Sequence, residues 1–168
     1  MATPVAAAKR LRKELQVLRR DPDDTIVLQH DPDNLLSWKA WIKGPEDTPY
    51  QDGVFQLDIR CGLDYPLAPP SIKFVTKIFH PNVHFRTGDI CLDILKKEWS
   101  PAWGLLSACR AVLALLSDPD ASSPLNCDAG NMLRSADTLA YDTTAAMYTM
   151  ENARFIAWPP PLDQDQDG

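Results

Sequence analysis

Histidine is scarce and stops early: the chain of 168 residues has His30, His80 and His84, and none in its second half. A cysteine hydrolase built on Cys91 would therefore draw its base from upstream, an order foreign to papain-like enzymes, whose local signature is also missing. Pro81 stands between His80 and His84 and spoils the helical spacing that a metal pair would need. Cysteine is dispersed as well. Cys61, Cys91, Cys109 and Cys127 lie 30, 18 and 18 residues apart, with no CxxC and no Cys/His cluster, which speaks against zinc. No apolar run approaches a membrane span, and the start lacks the apolar core of a signal peptide. The reading is a soluble protein with reduced thiols, one that reaches a membrane only through a partner. Basic charge is short overall, since a net charge of −6 excludes a broad nucleic-acid footprint.

What is present fits one domain with a single core: 45% hydrophobic and 24% charged residues, with no internal repeat. The charge is uneven. Lys9, Arg10, Arg12, Lys13, Arg19 and Arg20 crowd the opening segment against one acid, Glu14, while Leu162–Gly168 carries three aspartates and no base. Such a basic segment suits an acidic partner or simply a solvated helix face.

Thr3 as cap, Pro4 in the first turn and Leu11, Leu15 and Leu18 at i, i+4, i+7 predict a helix over 3–20. Strand-like segments follow at 25–29, 35–43, 54–60 and 71–76. Turn chemistry separates them at Asp31-Pro32-Asp33-Asn34, Gly44-Pro45-Glu46-Asp47 and Tyr65–Pro70, so an antiparallel meander is the economical arrangement. Residues 78–102 show no regular period and many turn residues; a long irregular segment in a compact domain is usually functional. Helices return at about 104–116, 129–135 and 136–155. The domain is placed at 3–156, and the Pro- and Asp-rich end, 157–168, reads as a disordered tail.

The irregular segment holds HPNVHFRTGDICLDIL, residues 80–95. Cys91 there is either a small core hydrophobe or a reactive thiol. His80 beside Pro81 suits a bond to nearby backbone. The amide of Asn82 can brace a turn or donate to an oxyanion formed in acyl transfer. Thiol and amide without a dedicated base suit a cysteine that carries an acyl group rather than one that hydrolyses it, because thiolates leave readily.

Several ordered motifs resemble the ubiquitin-conjugating enzymes over about residues 5–155. They are KGPEDTPYQDGVFQLDI (43–59), YPLAPPSIKF (65–74), HPN (80–82), GDICLDIL (88–95), WSPAW (99–103) and LLSDPDASSPLN (115–126). The resemblance implies an α+β fold: an N-terminal helix, a four-stranded antiparallel meander, then C-terminal helices. It implies that Cys91 takes ubiquitin as a thioester from an activating enzyme, which is the one to use ATP, and that the chain itself needs no cofactor. Asn82 would support the oxyanion or its loop, with His80 and Pro81 as structural members of the motif, and Asp93 would lie beside the thioester. Lys9, Arg10 and Arg12 would meet the activating enzyme and ligases; Leu67 and Ser100-Pro101-Ala102 would meet RING domains. Two departures stand out. The stretch between HPN and Cys91 is one residue longer than in the commonest members. Ser123 occupies a gate position where many relatives carry aspartate, which weakens the expectation of transfer to lysine.

Within the family, HPNVHFRTGDICLDIL and SPLNCDAGNMLRSAD (123–137) are most like the peroxisomal branch. That branch implies work at the cytosolic face of the peroxisome, held by a membrane-anchored partner protein. With RING ligases it would place ubiquitin on import receptors, at cysteine or lysine, for their recycling. A general cytosolic conjugating enzyme, one serving another modifier, or a non-catalytic binding module are the alternatives.

Overall fold

A computed structural model describes residues 4–162. Helix α1 (Pro4–Arg20) leads into strands β1 (Ile26–His30), β2 (Ser37–Lys43), β3 (Val54–Arg60) and β4 (Ser71–Phe74). The four pair in chain order, all antiparallel, as the turn chemistry predicts. Helices α2 (Leu92–Glu98), α3 (Leu105–Ser117), α4 (Cys127–Arg134) and α5 (Thr138–Asn152) follow. The expected cap, Thr3, lies outside the described residues, as do residues 163–168.

Register decides which face of the sheet is buried. Trp38 pairs with Ile59 and Ile59 with Ile72; Ala40 pairs with Leu57 and Leu57 with Phe74; Ile42 pairs with Phe55. All of these are buried, so the strand alternation delivers one apolar face to a common core. Against it α3 lays Leu105, Ala108, Cys109, Val112, Leu115 and Leu116, at helical spacing. Leu11 and Ala7 of α1, and Tyr141 and Ala145 of α5, join the same core.

Helix α2 corrects the expectation that 78–102 is irregular throughout. It has only seven residues and no side-chain cap at its start, where Cys91 is the N-cap. Less than two turns give the apolar pattern no room to repeat, so periodicity is blind to it. Packing also runs past residue 156: the Lys43 ammonium lies 4.6 Å from the Trp158 ring centroid, and Pro160 is buried. Cys109 is buried on α3 and Cys127 exposed at the start of α4, and both are free thiols.

Candidate active site

His80 is wholly buried beneath the segment that carries Cys91. Its Nδ1 accepts the Asn82 backbone N–H at 3.0 Å, which leaves the proton on Nε2, and Nε2 donates to the Leu115 carbonyl at 2.9 Å. Burial lowers the ring's pKa to about 4, so the imidazole is neutral and works as a fixed bracket rather than a base. The turn thereby hangs from the end of α3. Pro81 extends the bracket, for its carbonyl accepts N–H groups from Leu125 at 2.8 Å and Asn126 at 3.1 Å.

Asn82 is the junction. Its backbone carbonyl accepts the Cys91 N–H at 3.0 Å. Its side chain grips Asp120 on both sides of the backbone: Nδ2 donates to the Asp120 carbonyl at 2.6 Å and Oδ1 accepts the Asp120 N–H at 2.9 Å. One residue therefore fixes the cysteine to the loop between α3 and α4. Bracing is what the amide does in this structure. A primary amide has two N–H donors, and only one is engaged here among the described residues.

Between the bracket and Cys91 the chain folds back on itself. His84 Nδ1 accepts N–H groups from Arg86 and Thr87, and the His84 N–H reaches the Asp89 carbonyl, closing a tight turn over 84–89. Gly88 adopts φ +76° there, and a side chain on it would strike the Phe74 carbonyl. A bridge between Val83 and Ile90 then restores register before the cysteine.

The four thiols differ in access. Burial pushes Cys61 and Cys109 up to about 12, which makes them inert packing residues. Cys91 is half-buried and Cys127 exposed. Of these two, Cys91 alone sits against the His80–Asn82 bracket. Asp93, on the first turn of α2, and Ser123, in the loop that Asn82 holds, are both exposed.

The predicted partner-binding residues divide. Lys9 and Arg12 are exposed on α1, Leu67 is 59% exposed, Pro101 and Ala102 are exposed, and Ser100 is half-covered. Arg10 is instead engaged within the chain. Its guanidinium donates to the carbonyls of Pro101 at 2.7 Å and Trp103 at 2.6 Å and pairs with Glu14 at 3.4 Å. Glu14 accepts the Tyr65 hydroxyl and the Leu105 N–H, each at 2.6 Å. The Trp99 indole donates to the Pro66 carbonyl at 2.9 Å and joins the two exposed loops to each other. Glu14, Tyr65 and Trp99 are site-shaping residues that the sequence reading missed. The one signal for them was Glu14 itself, a solitary acid among six bases.

The arrangement offers a reachable thiol on a rigid seat, an amide bracing the loop beside it, and two exposed loops about 10 Å further along α2, the length of a seven-residue helix. The ubiquitin-conjugating enzyme family model matches residues 10–149. The ubiquitin-conjugating enzyme E2 pex4 of Dictyostelium discoideum is 55% identical over 143 residues, covering 84% of this chain and 96% of that protein. Protein PEROXIN-4 of Arabidopsis thaliana is 54% identical over 146 residues, covering 86% and 93%. The crystal structure of the H. polymorpha ubiquitin conjugating enzyme Pex4p in complex with the soluble domain of Pex22p superposes with a TM-score of 0.83 at 37% identity. It covers 89% of this chain and 100% of that one.

Proposed function

The chain belongs to the ubiquitin-conjugating enzyme family, in its peroxin-4 branch, and from that membership we propose that Cys91 is the atom-level carrier of ubiquitin. The Cys91 thiolate attacks the ubiquitin thioester presented by the activating enzyme, and the activating enzyme's thiolate leaves. A lysine or cysteine of the acceptor then attacks the new thioester, with Cys91 as leaving group. The unengaged N–H of the Asn82 amide is the donor assigned to the oxyanion of each step, while its partner N–H holds the loop. Asp93 and Ser123 border the path of the acceptor.

Lys9 and Arg12 meet the activating enzyme, and Leu67 with Ser100, Pro101 and Ala102 meets RING ligases. Arg10 shapes that second surface by holding Pro101 and Trp103. The acceptors are peroxisomal import receptors, ubiquitinated for recycling at the cytosolic face of the membrane. A membrane-anchored partner of the Pex22p kind holds the enzyme there, as the complex of the H. polymorpha relative suggests.

The observation that carries this reading is the Asn82 junction, which seats Cys91 and the acceptor-side loop on one residue. Purified protein incubated with activating enzyme, ATP and ubiquitin should give a reductant-sensitive adduct. Cys91→Ala should abolish it and Cys127→Ala should retain it; an adduct that survives in Cys91→Ala sinks the assignment. A parallel panel of other modifiers checks the cargo.

A further inference from the structure

Ser123 brings no charge to an incoming lysine, whose amine is an ammonium near neutral pH. We propose that Asp120 is the acceptor-positioning residue of this enzyme: its carboxylate draws the lysine ammonium in and orients it toward the Cys91 thioester. The proposal rests on the reading of Cys91 above. It adds a determinant of amine over thiol acceptors, because a neutral thiol gains nothing from a fixed anion.

Three observations single out Asp120. Its backbone is clamped by Asn82 through two hydrogen bonds, at 2.6 and 2.9 Å, and the same Asn82 holds the Cys91 N–H. Among the described residues no other acid is hydrogen-bonded to the Asn82 side chain. The carboxylate is itself oriented: Oδ1 accepts the Ser122 N–H at 2.9 Å and the Ser122 hydroxyl at 2.6 Å, while Oδ2 takes no hydrogen bond among the described residues. Those Ser122 bonds, and then the charge of Lys97, hold its carboxyl below the usual range, so it remains an anion wherever the enzyme works.

The competing acids fit less well. Asp89 is committed to Thr87 and Lys73. Asp118 caps the end of α3 with its backbone N–H. Asp93 is exposed on α2 and takes no comparable pair of bonds among the described residues. Preorganisation is what distinguishes a charge that orients an acceptor from one that merely attracts it.

In the step served, the lysine nitrogen forms a C–N bond to the thioester carbon. The C–S bond breaks with its electron pair going to Cys91 Sγ. Of the two protons the ammonium sheds on becoming an amide, one goes to solvent and one to the departing thiolate. Asp120 takes neither. Its effect therefore falls on capture of the amine, and on KM more than kcat.

The test uses the full chain charged with ubiquitin at Cys91, discharged onto Nα-acetyl-lysine amide and, separately, onto Nα-acetyl-cysteine amide. Asp120→Asn preserves the backbone clamp and Ser122 as neighbour while removing the charge. The lysine-to-cysteine discharge ratio should fall roughly five- to twenty-fold, as a rise in lysine KM that shrinks at high salt. Ser123→Asp in the same background should restore it. Equal loss with both acceptors would make Asp120 a loop brace only, and an unchanged ratio, or the loss appearing in Asp93→Asn instead, would overturn the proposal. Failure to charge Cys91 in the parent protein would strike the earlier reading, and charging is measured first for that reason.

Discussion

At the Cys91 end of α2 the chain is pinned by neutral groups, at the Trp99 end by an ion pair. His80 and Asn82 gather the close of α3, the 118–126 loop and the cysteine through bonds between uncharged partners. Arg10 and Glu14 gather the two exposed loops, around Tyr65 and around Pro101, and the start of α3 through charge-assisted bonds. The neutral bracket adds no charge of its own beside Cys91, which leaves the local field there to residues such as Asp120. The Trp99 end, the proposed ligase side, is a helix length from Cys91, so a stronger charged clamp can hold two loops there without disturbing that field.

Removing the charged clamp should cost the most. Glu14→Ala leaves the Tyr65 hydroxyl, the Leu105 N–H and the Arg10 guanidinium without their acceptor. Its side chain is 13% exposed, which puts the expected loss at the low end for a buried ion pair, about 3 kcal/mol. Denaturant unfolding measures it, and ligase-stimulated discharge should fall further than ligase-free discharge. Equal falls would mean that the two hubs are not separable.

The neutral bracket has its own weakness, which is acid. Burial depresses the His80 pKa to about 4 from an unfolded value of 6.5, so the unfolded chain binds the extra proton first. The stability tied to the neutral ring is fully present above pH 6.5 and is lost as pH falls toward 4, on the order of 3 kcal/mol in all. Below that the native ring is protonated too and the loss levels off. Unfolding free energy measured from pH 7 to 4 should show this slope. A His80 resonance titrating near 6.5 in the folded protein would break the comparison.

The two hubs were unequally legible in the sequence. Alternation in β3 and turn chemistry placed the sheet, because both are local signals. The motif around His80, Asn82 and Cys91 was readable as well, since its members sit within twelve residues. Glu14 and Arg10 were not, because apart from each other their partners lie 51 to 93 positions away and only folding makes them neighbours. Arg10 consequently read only as a docking residue, and its bonds to Pro101 and Trp103 went unseen. The short α2 escaped for a different reason, having too few residues to show a period.

Asn82→Ala should cost less in stability than Glu14→Ala and more in chemistry. Two hydrogen bonds to the Asp120 backbone are lost, but that loop is exposed and water can replace them, so about 2 kcal/mol is expected. Single-turnover discharge should drop by about 100-fold, because the loop loosens and the assigned oxyanion donor goes with it. A stability loss of that size with discharge intact would reduce Asn82 to a brace and remove the chemical difference between the ends of α2.

Arg10→Lys is the mildest probe and the most discriminating for the ligase end. An ammonium keeps the charge beside Glu14, yet it cannot present two separated N–H groups to the Pro101 and Trp103 carbonyls as the planar guanidinium does. Both carbonyls border solvent, so the cost should be near 1 kcal/mol. If the strut's geometry is what matters, ligase affinity should fall several-fold while loading by the activating enzyme falls less. If charge alone matters, Arg10→Lys should behave as the parent in both assays, and Arg10 would return to the docking role that its position on α1 first suggested.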